Sequence, residues 1–445
     1  MTELLRSIPL LEWWATPLAV LATGLVVVAR WWRTTRHLRV RTQLAVVASG
    51  VVLGVLAWLA VDVVWHPFAE GMGRYVWWWV AVIAVVVVQA LARPRGGRRD
   101  GHRGRRVAAR ASGVLVSVVV VVLAALLAIN AHLSAFPTLA AALGVGYEPT
   151  PLQDLEGARR DPVPTGRPAG PLVASWQPPV DMPLTGRVVT QDIPSSDPRF
   201  TPRPALAYLP PAYLTQRRPL LPVLVLLSGQ PGDPSNWTTA GRLQQTMDAY
   251  AAAHHGLAPV VVVPDPLGSS TANPLCADAH LGNVATYLQA DVPAWITTHL
   301  QVDTDRSRWA IAGLSNGGTC ALQVVTRDPR GFPTFLDMSG ELHPTLGSEA
   351  ATITQGFGGD RAAYEANDPL TLLGRNRYEG VHGLFSAGVD DQQFLPGMRQ
   401  VEAAARASGM VTELRTYPGG HAWTLWATVL ADQVGWLGDR LGITR

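Results

Sequence analysis

Four apolar runs recur in the first 131 residues: roughly Trp13–Ala29, Leu44–Val64, Val76–Ala92 and Ala111–Ile129. Each is near the ~20 residues a helix needs to cross a hydrocarbon layer, the first and third being the shorter pair. Trp13-Trp14, Trp31-Trp32 and Trp77-Trp78-Trp79 stand at run ends, where indoles suit a membrane–water interface. From Gly146 to about Pro183 the pattern dissolves into Pro, Gly, Asp and Arg without periodicity, which predicts an extended, semi-stiff tether.

Beyond the tether, short β-rich runs alternate with helical ones. Strands are expected at Gly186–Asp192, Ala205–Leu209, Val223–Ser228, Val260–Pro264, Trp309–Ala312, Thr334–Met338, Gly383–Ala387 and Thr412–Tyr417. Helical periodicity runs over Leu243–His254, Asn283–Leu300, Gly317–Arg327, Pro396–Ala407 and Trp423–Leu441. The runs VLVLLS and VVVVPD are apolar throughout, as strands covered on both faces are. Such alternation predicts a mostly parallel sheet with helices on both sides. The organisation expected is an all-α region of four transmembrane helices over 1–132, a Pro-rich linker over 133–183, and an α/β domain over 184–445.

Charge supports that division. Only 16% of the 445 residues are charged, against about a quarter in an ordinary soluble domain, and mean hydropathy is +0.15. The net +3 splits into +9 over residues 1–149 and −6 over 150–445, and all 36 basic residues are arginine. A basic half would suit nucleic acid, but these arginines flank apolar runs, so the partner expected is a lipid bilayer and not nucleic acid. Thirteen of them lie between runs one and two or between three and four, while the opposite side has only Arg6 and Arg74. That bias puts the rich loops in the cytoplasm and everything after the fourth run outside. The N-terminus has no small-residue cleavage pattern of a signal peptide. Asp62 and Gln89 are polar groups inside the runs, Asp62 near an outer end within reach of headgroup water. The spans lack a relay of carboxylates or histidines, so the region reads as an anchor rather than a transporter.

Chemistry gathers at three strand ends. Gly313-Leu314-Ser315-Asn316-Gly317-Gly318 follows the strand at Trp309–Ala312 and opens a helix, the G-x-S-x-G pattern of a serine on a sharp turn. Flanking glycines let neighbouring backbone approach, and the helix N-terminus favours developing negative charge. A serine needs a base, and the base an orienter. Asp390-Asp391 follow the strand GLFSAG, and His421 follows the last strand in PGGHAW. The order Ser…Asp…His is that of an α/β-hydrolase. Either aspartate can orient His421 on this evidence. His343, in SGELHP, lies in a loop after a strand but breaks the order. His254-His255 read as helix-end residues. Oxyanion donors are expected from the main-chain N–H of Asn316 and from the loop Ser228–Asp233, where Pro231 has no N–H and Gln230 is the better donor.

The runs VLVLLSGQPGDPSNW, VVVVPD, GLSNGG, AGVDDQQF and GGHAW resemble an esterase family of the α/β-hydrolase superfamily. That family takes in esterase D-type S-formylglutathione hydrolases, feruloyl esterases and the mycolyltransferases of actinobacteria. The resemblance spans roughly Arg187 to Leu441. Its G-x-x-D acid motif, counted from Gly388, implies Asp391 as the orienter. Cys276 and Cys320 both fall on the exported side, where disulfides persist. In this architecture the loop bearing Cys276 passes near the site, so a bridge would pin it to the nucleophile helix. The reading is a membrane-anchored serine esterase acting on an ester or acyl-lipid substrate outside the cytoplasm, without metal or organic cofactor. Acyl transfer to an envelope sugar hydroxyl, and a non-catalytic binding domain, are the other two readings.

Overall fold

The computed structural model describes residues 2–32, 39–65, 71–91, 103–145, 150–152 and 170–445. Contacts divide the chain into two compact units, Met1–Gly146 and Tyr147–Arg445. Several of the arginines used for orientation (33, 36, 93, 95, 98 and 99) and most of the tether lie outside the described residues.

The first unit contains four long apolar helices: α1 (Ala15–Arg30), α2 (Val40–Trp58, prolonged to Trp65 by a π-turn), α3 (Gly73–Leu91) and α4 (Arg103–Leu133). Two stretches, Val40–Trp65 and Ala111–Leu133, are long and apolar enough to cross a membrane, while Ala15–Arg30 and Gly73–Gln89 are shorter apolar helices. Gly50 and Gly54 lie one turn apart and let α3 approach α2 closely. A Cβ at Gly50 would sit 2.5 Å from Val85 Cα, and one at Gly54 2.9 Å from Ala81 Cα. Small residues spaced this way are how helices pack when water supplies no drive.

Asp62 is half-buried, and its carboxylate accepts from Trp77 Nε1–H at 2.6 Å and from the Met72 N–H at 3.2 Å, tying α2 to α3. One expectation changes here. The three consecutive tryptophans do not form one interfacial belt. Successive helical residues point about 100° apart, so Trp77 turns to Asp62 and Trp78 is exposed. Trp79 is buried among Ala19, Ala124, Ala125 and Ala128.

The second unit is built on a nine-stranded sheet. Its strands are β1 (Thr150–Pro151), β2 (Arg187–Gln191), β3 (Ala205–Leu209), β4 (Val223–Leu227), β5 (Val260–Val263), β6 (Trp309–Leu314), β7 (Thr334–Met338), β8 (His382–Gly388) and β9 (Val411–Tyr417). Spatial order is β1-β2-β3-β5-β4-β6-β7-β8-β9. Every pairing is parallel except the two that β3 makes, with β2 and β5. β3 through β7 are buried at every position, apolar runs with helices over them. β9 is half-exposed, as an edge is.

The helices that matter for the site are α5 (Leu243–Ala253), α6 (Val292–His299), α7 (Asn316–Arg327), α8 (Leu395–Ala407) and α9 (Trp423–Arg440). The eight expected strands and five helical regions all form, the second helical region as a short α-turn at Val284–Thr286 and a π-turn at Tyr287–Asp291 leading into α6. The linker boundary moves. Leu172 is buried, and the N–H groups of Leu172 and Val173 donate to the carbonyls of Gly442 and Ile443. Thr150–Pro151 pairs with β2. These residues, expected in the linker, are therefore held by the domain, because the sheet edge and the C-terminal residues offer main-chain partners that periodicity does not register.

β4 is flanked by β5, which follows it, and by β6, which leads away to β7 on the other side. Loops leaving β4 and β6 therefore diverge to opposite sides, opening a crevice at their carboxyl ends.

Candidate active site

Ser315 sits in that crevice, on the turn from β6 to α7. Its backbone is held at φ +52° and ψ −127°, a conformation costly for any residue with a side chain. The turn closes because two glycines permit contact. A Cβ at Gly313 would land on the Gly317 carbonyl, and one at Gly317 would sit 2.5 Å from the Ser228 oxygen. The Ser315 N–H donates to Met338 O at 2.8 Å, anchoring the turn to β7. Ser315 is thus more than a helix cap, and its side chain makes no cap hydrogen bond.

His421 follows β9. Its Nε2 lies 3.0 Å from Ser315 Oγ, and its Nδ1 lies 2.9 Å from Asp391 Oδ2. The ring stacks on Phe394 at 4.0 Å and meets Trp426 edge-on at 4.8 Å, contacts that hold it in the plane its two hydrogen bonds require. Trp426, Trp423 and Trp237 continue this packing as a chain of edge-to-face rings. The imidazole side chain is 26% exposed, open to one side only.

Asp391 is buried, and its second oxygen accepts the Phe394 N–H at 3.3 Å. Asp390 is exposed, and its main-chain N–H donates to Gly419 O, stitching the β8 loop to the β9 loop. The choice between the neighbours is therefore geometric: the structure brings Asp391 to His421 and leaves Asp390 outside. His343 does not join this group. It pairs with Asp368 at 2.9 Å, and that hydrogen bond raises its pKa against the opposing effect of burial. His254 sits at the end of α5, its Nδ1 2.7 Å from the Tyr250 carbonyl.

The β4 loop lies against the nucleophile, since a Cβ at Gly229 would sit 3.0 Å from Ser315 Cβ. Neither the Gln230 nor the Asn316 main-chain N–H has an acceptor among the described residues. Two unused donors beside a serine hydroxyl are what an oxyanion needs. The loop is held by Arg203, which motif reasoning missed. Its guanidinium reaches both oxygens of Asp265 at 2.8 Å, Asp233 at 3.1 Å and the Gly232 carbonyl at 2.9 Å. Asp265, one proline past the buried run VVVV, carried a legible signal. Arg203, in a Pro-rich loop far along the chain, carried none.

Asp337 was missed as well. It lies on β7 opposite Gly313, wholly buried, with Oδ1 accepting the Gly340 N–H at 2.9 Å. Burial pushes its pKa up to about 7, and the Gly340 hydrogen bond opposes that only in part. A raised carboxyl keeps in the fold a proton that the unfolded chain gives up, so its contribution to stability falls as pH rises from about 4 to about 7. Asp337→Asn is expected to raise stability by up to about 4 kcal/mol at pH 8, the gain vanishing near pH 4. Melting curves at the two pH values check this, and an equal gain at both would refute it.

Cys276 and Cys320 are joined in a disulfide, Cα atoms 5.5 Å apart, linking the loop after β5 to the first turns of α7. Among the described residues no group of three His, Cys, Asp or Glu side chains gathers as a metal site would require.

A sheet of this order, with a serine on the turn after β6 and acid and base loops beyond it, defines an α/β-hydrolase. The family model described as "Putative esterase" matches residues 201–437, more than half of the chain. An uncharacterized protein of Corynebacterium glutamicum is 33% identical over 412 residues, covering 90% of each chain. Among solved structures, a ferulic acid esterase superposes with a TM-score of 0.50 at 22% identity, over 57% of this chain and 98% of that one. An S-formylglutathione hydrolase from Agrobacterium tumefaciens gives 0.49 at 22% identity, over 59% and 98%. The chain belongs to the esterase family and is a carboxylic-ester hydrolase.

Proposed function

We propose that this protein is a membrane-anchored serine esterase that works through an acyl-enzyme on the outer side of the membrane. The observation that carries the reading is the unbroken hydrogen-bonded line from Asp391 through His421 to Ser315. Asp391 holds the Nδ1–H tautomer, which leaves the Nε2 lone pair facing the serine hydroxyl. Ser315 Oγ attacks the ester carbonyl while His421 Nε2 takes its proton, and the main-chain N–H groups of Gln230 and Asn316 receive the oxyanion. His421 then protonates the departing alcohol. Water, activated by the same imidazole, attacks the acyl-enzyme and releases the acid. A sugar hydroxyl in place of water would make the same intermediate an acyl donor, and the acceptor is read from the products.

Anchoring rests on the two long apolar stretches, with the shorter helix α3 packed against the first of them through the Gly50–Gly54 seam. The arginine bias of the alternate loops supports an outward catalytic domain. On this reading the substrate is an ester or acyl lipid of the outer leaflet or envelope.

The test uses the full-length protein in detergent micelles. Reaction with a fluorophosphonate probe is expected to give one covalent adduct, on Ser315, together with turnover of short- or long-acyl esters. A folded protein without an adduct would favour a non-catalytic binding domain. For topology, a reporter active only in the cytoplasm, fused after Arg445, is expected to stay silent, and a strong signal would reverse the orientation.

A further inference from the structure

We infer that Asn273 is a positioning residue of the oxyanion hole, holding the donors Gln230 and Asn316 through the segment Ser270–Cys276. The inference rests on the oxyanion assignment proposed above.

This segment runs past both donor residues and is tied to each. Gln230 Nε2–H donates to the Thr271 carbonyl at 2.6 Å, and the neighbouring Gly232 N–H donates to Ser270 O at 3.0 Å. On the other side, the Asn316 side-chain Nδ2 reaches Asn273 Oδ1 at 3.5 Å. That is a long hydrogen bond, of the kind that tightens once a transition state forms. One turn along α7, Cys320 holds Cys276 covalently.

Asn273 is the hub of the segment. Its Oδ1 also accepts the Leu275 N–H at 3.0 Å, and its Nδ2 donates to the Thr345 carbonyl at 3.0 Å. The next residues would not stay in place unaided. Leu275 and Cys276 both have left-handed backbones, φ +69° and +46°, which disfavour residues bearing a Cβ. Asn273 restrains this strained pair from the front, and the disulfide restrains it from behind.

Precision is what this arrangement supplies. An oxyanion donor acts only when it lies ~2.7–3.1 Å from where the charge develops. The Asn316 N–H is aimed by the turn at Ser315, and the Asn316 side chain is the part of that residue that reaches beyond α7 to a second element. Anchoring that side chain to a segment that also holds Gln230 locks the two donors to each other. Asn273 itself reaches no reacting atom in this scheme, so its effect should appear in kcat and not in substrate affinity.

A double-mutant cycle in the full-length protein tests this, with steady-state hydrolysis of a p-nitrophenyl ester as readout. Asn273→Ala and Asn316→Ala, which leaves the Asn316 main-chain N–H in place, are each expected to lower kcat about ten-fold with KM within about two-fold. The double variant is expected to be no slower than the slower single, because both remove one linkage. Melting temperatures serve as the fold control. Independent losses that multiply to about a hundred-fold, or an Asn273→Ala enzyme with wild-type kcat, would overturn the inference while leaving the esterase reading intact. Absence of turnover in the wild type would overturn both.

Discussion

Asp391→Asn is expected to lower kcat by about 10⁴-fold with little change in melting temperature, as the same change does in a serine-protease triad. Asp391 accepts from His421 Nδ1, which fixes the proton there and leaves Nε2 free to take the one from Ser315. An asparagine can turn its NH₂ toward Nδ1 and so stabilise the tautomer with its proton on Nε2, where no base remains. The packing of the ring between Phe394 and Trp426 is untouched, so folding should survive. Asp390→Asn is the internal control. Asp390 is exposed, and its main-chain bond to Gly419 persists in the variant, so less than a ten-fold loss is expected. Measured kcat for both, with melting curves, decides the matter: a crippled Asp390→Asn enzyme would transfer the role to the other aspartate.

Removing the Cys276–Cys320 bond is expected to cost about 4 kcal/mol of stability. The two cysteines are 44 residues apart, and the cost follows from the conformational freedom the unfolded chain regains when a loop of that length opens. The double variant Cys276→Ala, Cys320→Ala should therefore unfold at markedly lower temperature or denaturant concentration than the wild type. Thiol titration of the denatured, unreduced wild type is the direct check, with none free expected. Two titratable thiols in protein taken from the cell envelope would remove both the bridge and the compartment argument behind it. If the bond also steadies the strained pair Leu275–Cys276 beside the oxyanion loop, the double variant should lose kcat as well as stability.

Much of this domain is local in origin and so could be read along the chain. VLVL and VVVV are buried strands because no polar atom in them needs water, and Gly313–Gly317 is a turn because only glycines admit the backbone contacts that bend it. Ser315, the pair Asp390-Asp391 and His421 each fall just past the end of a strand, so their order and spacing mark a serine, a histidine and two candidate acids before any coordinates do. Asp390 and Asp391 are different. Neighbours on a loop point in different directions, and burial of one against exposure of the other comes only from the folded path of the β8 and β9 loops.

The same limit applies wherever a role depends on what approaches from elsewhere in the chain. Arg203 gains its function from Asp265, Asp233 and the Gly232 carbonyl, tens of residues away, and nothing in its own neighbourhood marks it. Asp337 looks like any aspartate at a strand end until the sheet buries it behind the nucleophile turn. Thr150–Pro151 and Leu172–Val173, expected in the tether, instead pair with β2 and with the C-terminal residues through main-chain groups, which composition does not record. Sequence alone determined the elements, their order and the candidate serine and histidine, since periodicity and turn chemistry act within a few residues. Tertiary structure separated the two aspartates that order along the chain left open, in favour of the one the G-x-x-D resemblance implied, and alone decided which cation holds the oxyanion loop and which carboxyl is buried, because hydrogen bonding and desolvation depend on distance in space.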